Sequence, residues 1–154
     1  MASLTALLIT LHILSAALWV GGMFFAYVCL RPVAAQLLEP PQRLPLWSQT
    51  FNRFFRWVWV CIALLILSGH WMIALLGGMA AVGLHVHLML ATGYLMIALF
   101  GHLFFVPYKR LKNAVAEEQW PVAAKQLNNI RIIVGTNLIL GLITIIIGAG
   151  GRYL

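Results

Sequence analysis

Residues 11–22 read LHILSAALWVGG, an apolar run carrying His12 one turn from Ser15 and two turns from Trp19. The run sits inside residues 4–30, which hold no charged side chain. About 20 predominantly apolar residues suffice to cross a bilayer, so this stretch reads as a membrane-spanning helix. Neither helix propensity nor solubility in lipid calls for an imidazole at position 12. Its meaning depends on where the other histidines fall.

Composition agrees with the span. Of 154 residues, 63% are hydrophobic and 8% charged, and the mean hydropathy is +0.97. A soluble domain carries about 25% charge, so a water-exposed surface cannot be built from this chain. The net charge of +7 does not imply a nucleic-acid partner, because the basic residues lie between the apolar segments. Cys29 and Cys61 fall within or at the end of spans and make no disulfide framework. Residues 1–30 lack a basic leader and a cleavage site, so the first run is expected to remain as a helix.

The expected architecture is all-α, a single four-span transmembrane bundle over residues 1–154. The first helix covers about 4–30 and ends at Arg31-Pro32. A loop over 31–53 follows, with at most a short surface helix around Leu46–Phe51. The second helix runs from about 54 to 76, and Gly77-Gly78 turns the chain into a third over about 79–106, ended by Pro107. The polar stretch 107–129 reads as a helical turn or two at the interface, and the fourth helix covers about 131–150.

Arg31, Arg43, Arg53, Arg56, Lys109, Arg110, Lys112, Lys125 and Arg131 all fall on one side of this bundle, and Arg152 alone on the other. The positive-inside rule then puts both long loops in the cytoplasm and both termini on the periplasmic side of a bacterial inner membrane. At a rise of ~1.5 Å per residue, His12, His70, His85 and His87 lie at roughly 9–12 Å below the outer end, a layer fed by three helices. His102 lies near the opposite end.

Helical periodicity groups His12 with Ser15, Trp19 and Met23, and His70 with Ile66, Ala63, Trp59 and Arg56. On the third helix, His87 shares a stripe of small residues with Gly83, Ala91, Tyr94 and Ala98. Small residues allow close helix approach, so this stripe is expected to face inward and His85, with Thr92, nearly the opposite way. Asn137, Gly141, Thr144 and Gly148 form the inner face of the fourth helix. Arg56, on the same stripe as His70, is expected to pair with Tyr94 or Asn137 or to hold an anionic group.

An ionisable group in lipid is costly and normally faces a cavity or a partner. One histidine in a span is ordinarily helix glue; convergence of His12, His70 and His87 argues for a ligand role. Neutral imidazole suits haem iron, copper and zinc. The leading expectation is a haem b protein in electron transfer or oxidoreduction, with His12 and a histidine from the second or third helix as axial ligands. Trp19, Arg56, Tyr94 and Asn137 complete the candidate cofactor site. Copper bound by His12, His70, His85 and His87 is the alternative, and Met23, Met89 and Met96 look too scattered for a copper ladder. A cofactor-free structural subunit is the third reading.

LHILSAALWVGGMFF and VGLHVHLMLATGYLMIALF together resemble the four-helix membrane proteins of the CopD/HemJ superfamily, over nearly the whole chain. That resemblance implies a bundle of the inner membrane with haem or copper as cofactor. A haem in the outer leaflet is expected to exchange electrons with a quinone, a porphyrinogen or a periplasmic redox protein; lipid is the other partner, and the apolar faces allow a homo-oligomer. The HemJ-type third helix carries a histidine followed two residues on by a lysine; these positions are His85 and His87 here, so histidine replaces the lysine. The Asn-Glu-x-Pro stretch of that type is absent around Asn137, and NLILG is nearer to the CopD side. The resemblance favours His85 as functional, whereas the helix-face reading favours His87.

Overall fold

In the computed structural model, which describes residues 2–151, four long helices run up and down. They are α1 (Ser3–Leu37), α2 (Pro40–Leu75), α3 (Leu84–Ala116) and α4 (Trp120–Gly150). Each is long and apolar enough to cross a membrane. Large apolar side chains face outward along them, Ile13, Leu18, Leu67 and Ile146 among these, as a lipid-facing surface requires. Arg152, expected as the lone basic residue at its end, lies outside the described residues.

The helices are longer than their apolar runs. α2 has 36 residues, about 54 Å of helix against a hydrocarbon layer of about 30 Å. The segments 31–53 and 107–129 are therefore mostly helix, correcting the expected loops. Their apolar residues follow the helical period: Leu44, Trp47 and Phe51 in α2, Leu111 and Ala114 in α3, and Ala123 and Ile130 in α4 are all buried. This buried stripe carries each helix past the lipid core and leaves most of the lysines and arginines exposed. The connection between α1 and α2 shrinks to Leu38 and Glu39, and that between α3 and α4 to residues 117–119, where Glu118 takes a positive φ of 54°.

Pro32 and Pro107 were expected to end helices, and neither does. A proline removes one N–H and clashes with the carbonyl four residues back. Here a wider, π-helical turn lies at each site, Phe25–Leu30 just before Pro32 and Phe104–Tyr108 around Pro107. The Arg31 N–H reaches back to the Ala26 carbonyl, the five-residue bond of a π turn, and the helix continues. At the other end, Gly77 and Gly78 take φ of 98° and 92°, which only glycine adopts readily, and α3 starts after the turn at Leu84.

α1 packs along α2, and α3 along α4. α2 and α3 meet through a column of rings. Phe55 stacks on Phe51 at 5.0 Å and meets Phe100 and Tyr108 edge-on at 5.3 and 4.9 Å; Trp59 stands edge-on to Phe100 at 5.2 Å. α4 closes the bundle through glycines. A Cβ on Gly141 would lie 2.8 Å from Val20 Cγ2 and 3.1 Å from Met96 Cε. Gly141→Val is therefore expected to cost roughly 1–3 kcal/mol through overpacking, read as an earlier thermal unfolding transition in detergent micelles. Unchanged unfolding would mean that α1, α3 and α4 do not approach this closely.

Candidate functional site

The described histidines do not form one ring. His12 is half-buried and faces α2 along the expected stripe with Ser15, Trp19 and Met23, each of which is buried. Its Nδ1 lies 2.9 Å from the Ser68 hydroxyl, while that hydroxyl donates its single proton to the Leu64 carbonyl at 2.6 Å. The imidazole must then be the donor at Nδ1, so the neutral ring keeps its Nε2 lone pair free for a ligand. Fixing the tautomer through the other ring nitrogen is what metal-binding histidines commonly show. Gly69 admits the ring, since a Cβ there would stand 3.2 Å from His12 Cε1.

Ser68→Ala is expected to release this tautomer at little cost to the fold, because one hydrogen bond inside a membrane averages about 0.6 kcal/mol. Nitrogen-15 NMR of labelled histidine should show His12 change from one tautomer to a mixture. A spectrum left unchanged would contradict the assignment.

His70 lies about 200° around α2 from Ser68 and points away from His12. It is exposed, as are Ala63, Trp59 and Arg56 on the same stripe, which corrects the inward reading of that face. Its Nδ1 donates to the Ile66 carbonyl at 2.8 Å and its Nε2 accepts from the Tyr94 hydroxyl at 3.1 Å, a bridge between α2 and α3 on the outer surface. Arg56 pairs with neither Tyr94 nor Asn137; its Nε donates to the Asn52 carbonyl at 3.1 Å.

α3 is rotated from the expected orientation. His87, Ala91, Tyr94 and Ala98 are exposed, while Met96 is buried and His85, Met89 and Thr92 are partly covered. His87 Nδ1 donates to the Gly83 carbonyl at 3.2 Å. The small-residue rule failed because the glycines that admit close packing belong to α4, and bulky α3 side chains fill them. His85 packs against Gly151; Met89 meets Gly148, where a Cβ would stand 3.1 Å from its Sδ; Met96 meets Gly141. Thr92 receives a hydrogen bond from Thr144 at 2.8 Å, and Asn137 Nδ2 donates to the Met96 carbonyl at 3.1 Å. Asn137, Gly141, Thr144 and Gly148 thus form an inner face, as their spacing indicates.

His85, Met89 and Met96 therefore follow one another along the α3–α4 contact as an imidazole–thioether column, in which the His85 Cβ meets Gly151 while its ring turns back over Gly83. The methionines look scattered along the sequence because they fall on different turns of α3. Their spacing of four and seven residues from His85 and Met89 was the available signal. Cys61 is also buried, and Cys29 is exposed. Among the described residues, no three His, Cys, Asp or Glu side chains gather as a metal-binding cluster. A core cavity of about 20 Å³, lined by Trp19, Phe55, Phe100 and Asn137, contains no histidine; Asn137 Oδ1 has no hydrogen-bond partner there. α1 and α2 touch directly at His12, which leaves no slot for a porphyrin between that ring and Ser68–Gly69.

The fold and its lipid-facing surface define a multi-pass, all-α membrane protein. Residues 48–150 match the family model described as CopD, copper resistance protein D, and the chain belongs to that family. The match takes in most of α2 and all of α3 and α4, including the imidazole–thioether column, and leaves out α1 with His12. No curated protein and no solved structure matches the chain.

Proposed function

We propose that this protein handles copper as cargo, binding Cu(I) at the histidine end of the bundle and passing it along His85, Met89 and Met96. The observation that carries the reading is that column, set on the inner face of α3 and within the residues shared with the copper-resistance family. Thioether and imidazole are the soft and borderline donors that Cu(I) accepts. His12, with its Nε2 lone pair held ready, is a further donor from α1. Donors offered one or two at a time suit a travelling ion, which must bind well enough to enter and weakly enough to leave.

The nine-to-one distribution of basic residues supports placing the histidine end on the periplasmic face of a bacterial inner membrane. A cysteine at exposed Leu84, tested against a membrane-impermeant thiol reagent in a background lacking Cys29 and Cys61, checks this. Labelling from the periplasm is the expected result.

Copper and haem are separated on one sample. The chain, purified after expression with ample haem and copper, is assayed by metal analysis and by its absorbance when reduced. Copper with no Soret band is expected. A Soret band with split α/β absorption, and no copper, overturns the reading in favour of haem.

A further inference from the structure

At the basic end, a cavity of about 260 Å³ opens between α1, the first turns of α2 and α4. One water needs about 10–15 Å³ on this measure, so the space takes a group the size of a headgroup. Arg31, Arg43 and Arg131, one from each helix, line it together with Tyr27, Trp47 and Asn128. The chain's acidic residues, Glu39, Glu117 and Glu118, are not among its walls.

Arg31 and Arg43 differ from the other basic residues at this end, all of which, Arg131 included, are exposed. Arg53, Lys109, Arg110, Lys112 and Lys125 are exposed, and the attraction of an anionic membrane surface accounts for them. Arg31 and Arg43 are half-buried. The Arg31 guanidinium lies over the Tyr27 ring, 5.0 Å from its centre, and Tyr27 in turn packs on Gly135, where a Cβ would be 3.1 Å from the hydroxyl. Arg43 makes only long contacts of 3.4 Å to the Ala35 and Leu38 carbonyls, so most of its donors remain unspent. Tyr27 belongs to the π-helical turn, a feature that recurs at functional sites. Three like charges drawn into one cavity with no carboxylate repel one another unless an anion sits between them.

We infer that this cavity binds a phosphate group, gripped by the guanidiniums of Arg31, Arg43 and Arg131 with Trp47 and Tyr27 as its apolar floor. Guanidinium matches phosphate through paired, charge-assisted hydrogen bonds. The phosphate comes either from an anionic phospholipid or from a soluble phosphate, and the site requires neither copper nor the histidine end.

The test is native mass spectrometry of the full chain in neutral-lipid nanodiscs, titrated with phosphatidylglycerol or with inorganic phosphate. Saturable binding of one anion per chain is expected. Arg31→Gln, Arg43→Gln and Arg131→Gln together should weaken it about tenfold or more, since they remove every guanidinium that lines the cavity. The matched control, Lys109→Gln with Arg110→Gln and Lys112→Gln, should stay within about twofold. Arg131→Gln alone, at an exposed position, gives a partial loss that does not depend on the triple variant folding. Saturation by the lipid alone identifies a headgroup site; saturation by inorganic phosphate identifies a soluble ligand. Equal loss in the control, or binding that never saturates, overturns the inference. Copper binding by the arginine variants should be unchanged, so failure here and failure of the copper reading are told apart.

Discussion

Met89→Leu combined with Met96→Leu is expected to lower the Cu(I) affinity of the purified chain by at least about 10-fold, since groups that only support a metal's ligands already change affinity about 10- to 100-fold and these thioethers are donors themselves. Leucine replaces methionine with nearly the same volume, and such exchanges usually cost under about 1.5 kcal/mol. Met96 is buried against Gly141 and Met89 sits on Gly148, so leucine still fills both places. Packing and ligation therefore make opposite forecasts. If the methionines only fill the α3–α4 contact, affinity for Cu(I), read by competition with a chromophoric chelator, stays where it was. His85→Ala and His12→Ala should each weaken binding as well, while His102→Ala, on the exposed surface near the other end, should not.

Phe55→Ala should have the largest effect on stability. Its ring is buried and touches Phe51, Phe100, Phe104 and Tyr108. In lipid the hydrophobic effect does not drive helices together, and close packing carries most of the association. Removing a ring from the centre of this column forfeits dispersion contacts on several sides and opens a cavity between α2 and α3. Soluble proteins lose about 3–5 kcal/mol for such a change; the lower end of that range is expected here. Equilibrium unfolding in mixed micelles measures it. A loss below that of an exposed control such as Phe105→Ala would show that the rings do not join the two helices.

The spans were legible because lipid imposes a simple demand, a long run without charge, and the runs around His12, Cys61, Met96 and Ile143 meet it. The helix ends were not, because Pro32 and Pro107 ordinarily stop a helix and π turns carry the chain past both. The spacing of Leu44, Trp47, Phe51, Phe55 and Val58 did announce that α2 begins early, behind residues that looked like a loop.

The inner faces of α1 and α4 also followed from periodicity, through Ser15, Trp19 and Met23 on one and Asn137 and Gly141 on the other. α2 and α3 defeated it. Both are apolar nearly all round, so the period says which residues share a face but not which face is inside. Small residues then misled: Ala91 and Ala98 line the exposed side, and the glycines of α4 take the bulk of Met89 and Met96. His85 is half-buried and His87 exposed, the reverse of what the stripe of small residues indicated.

X-ray absorption at the copper edge, on the Cu(I)-loaded protein in nanodiscs, tests copper handling by this column most directly. The expected spectrum contains both imidazole nitrogen and thioether sulfur, and the sulfur component disappears when Met89→Leu and Met96→Leu are combined. A spectrum without sulfur, or one identical in that variant, would contradict the account.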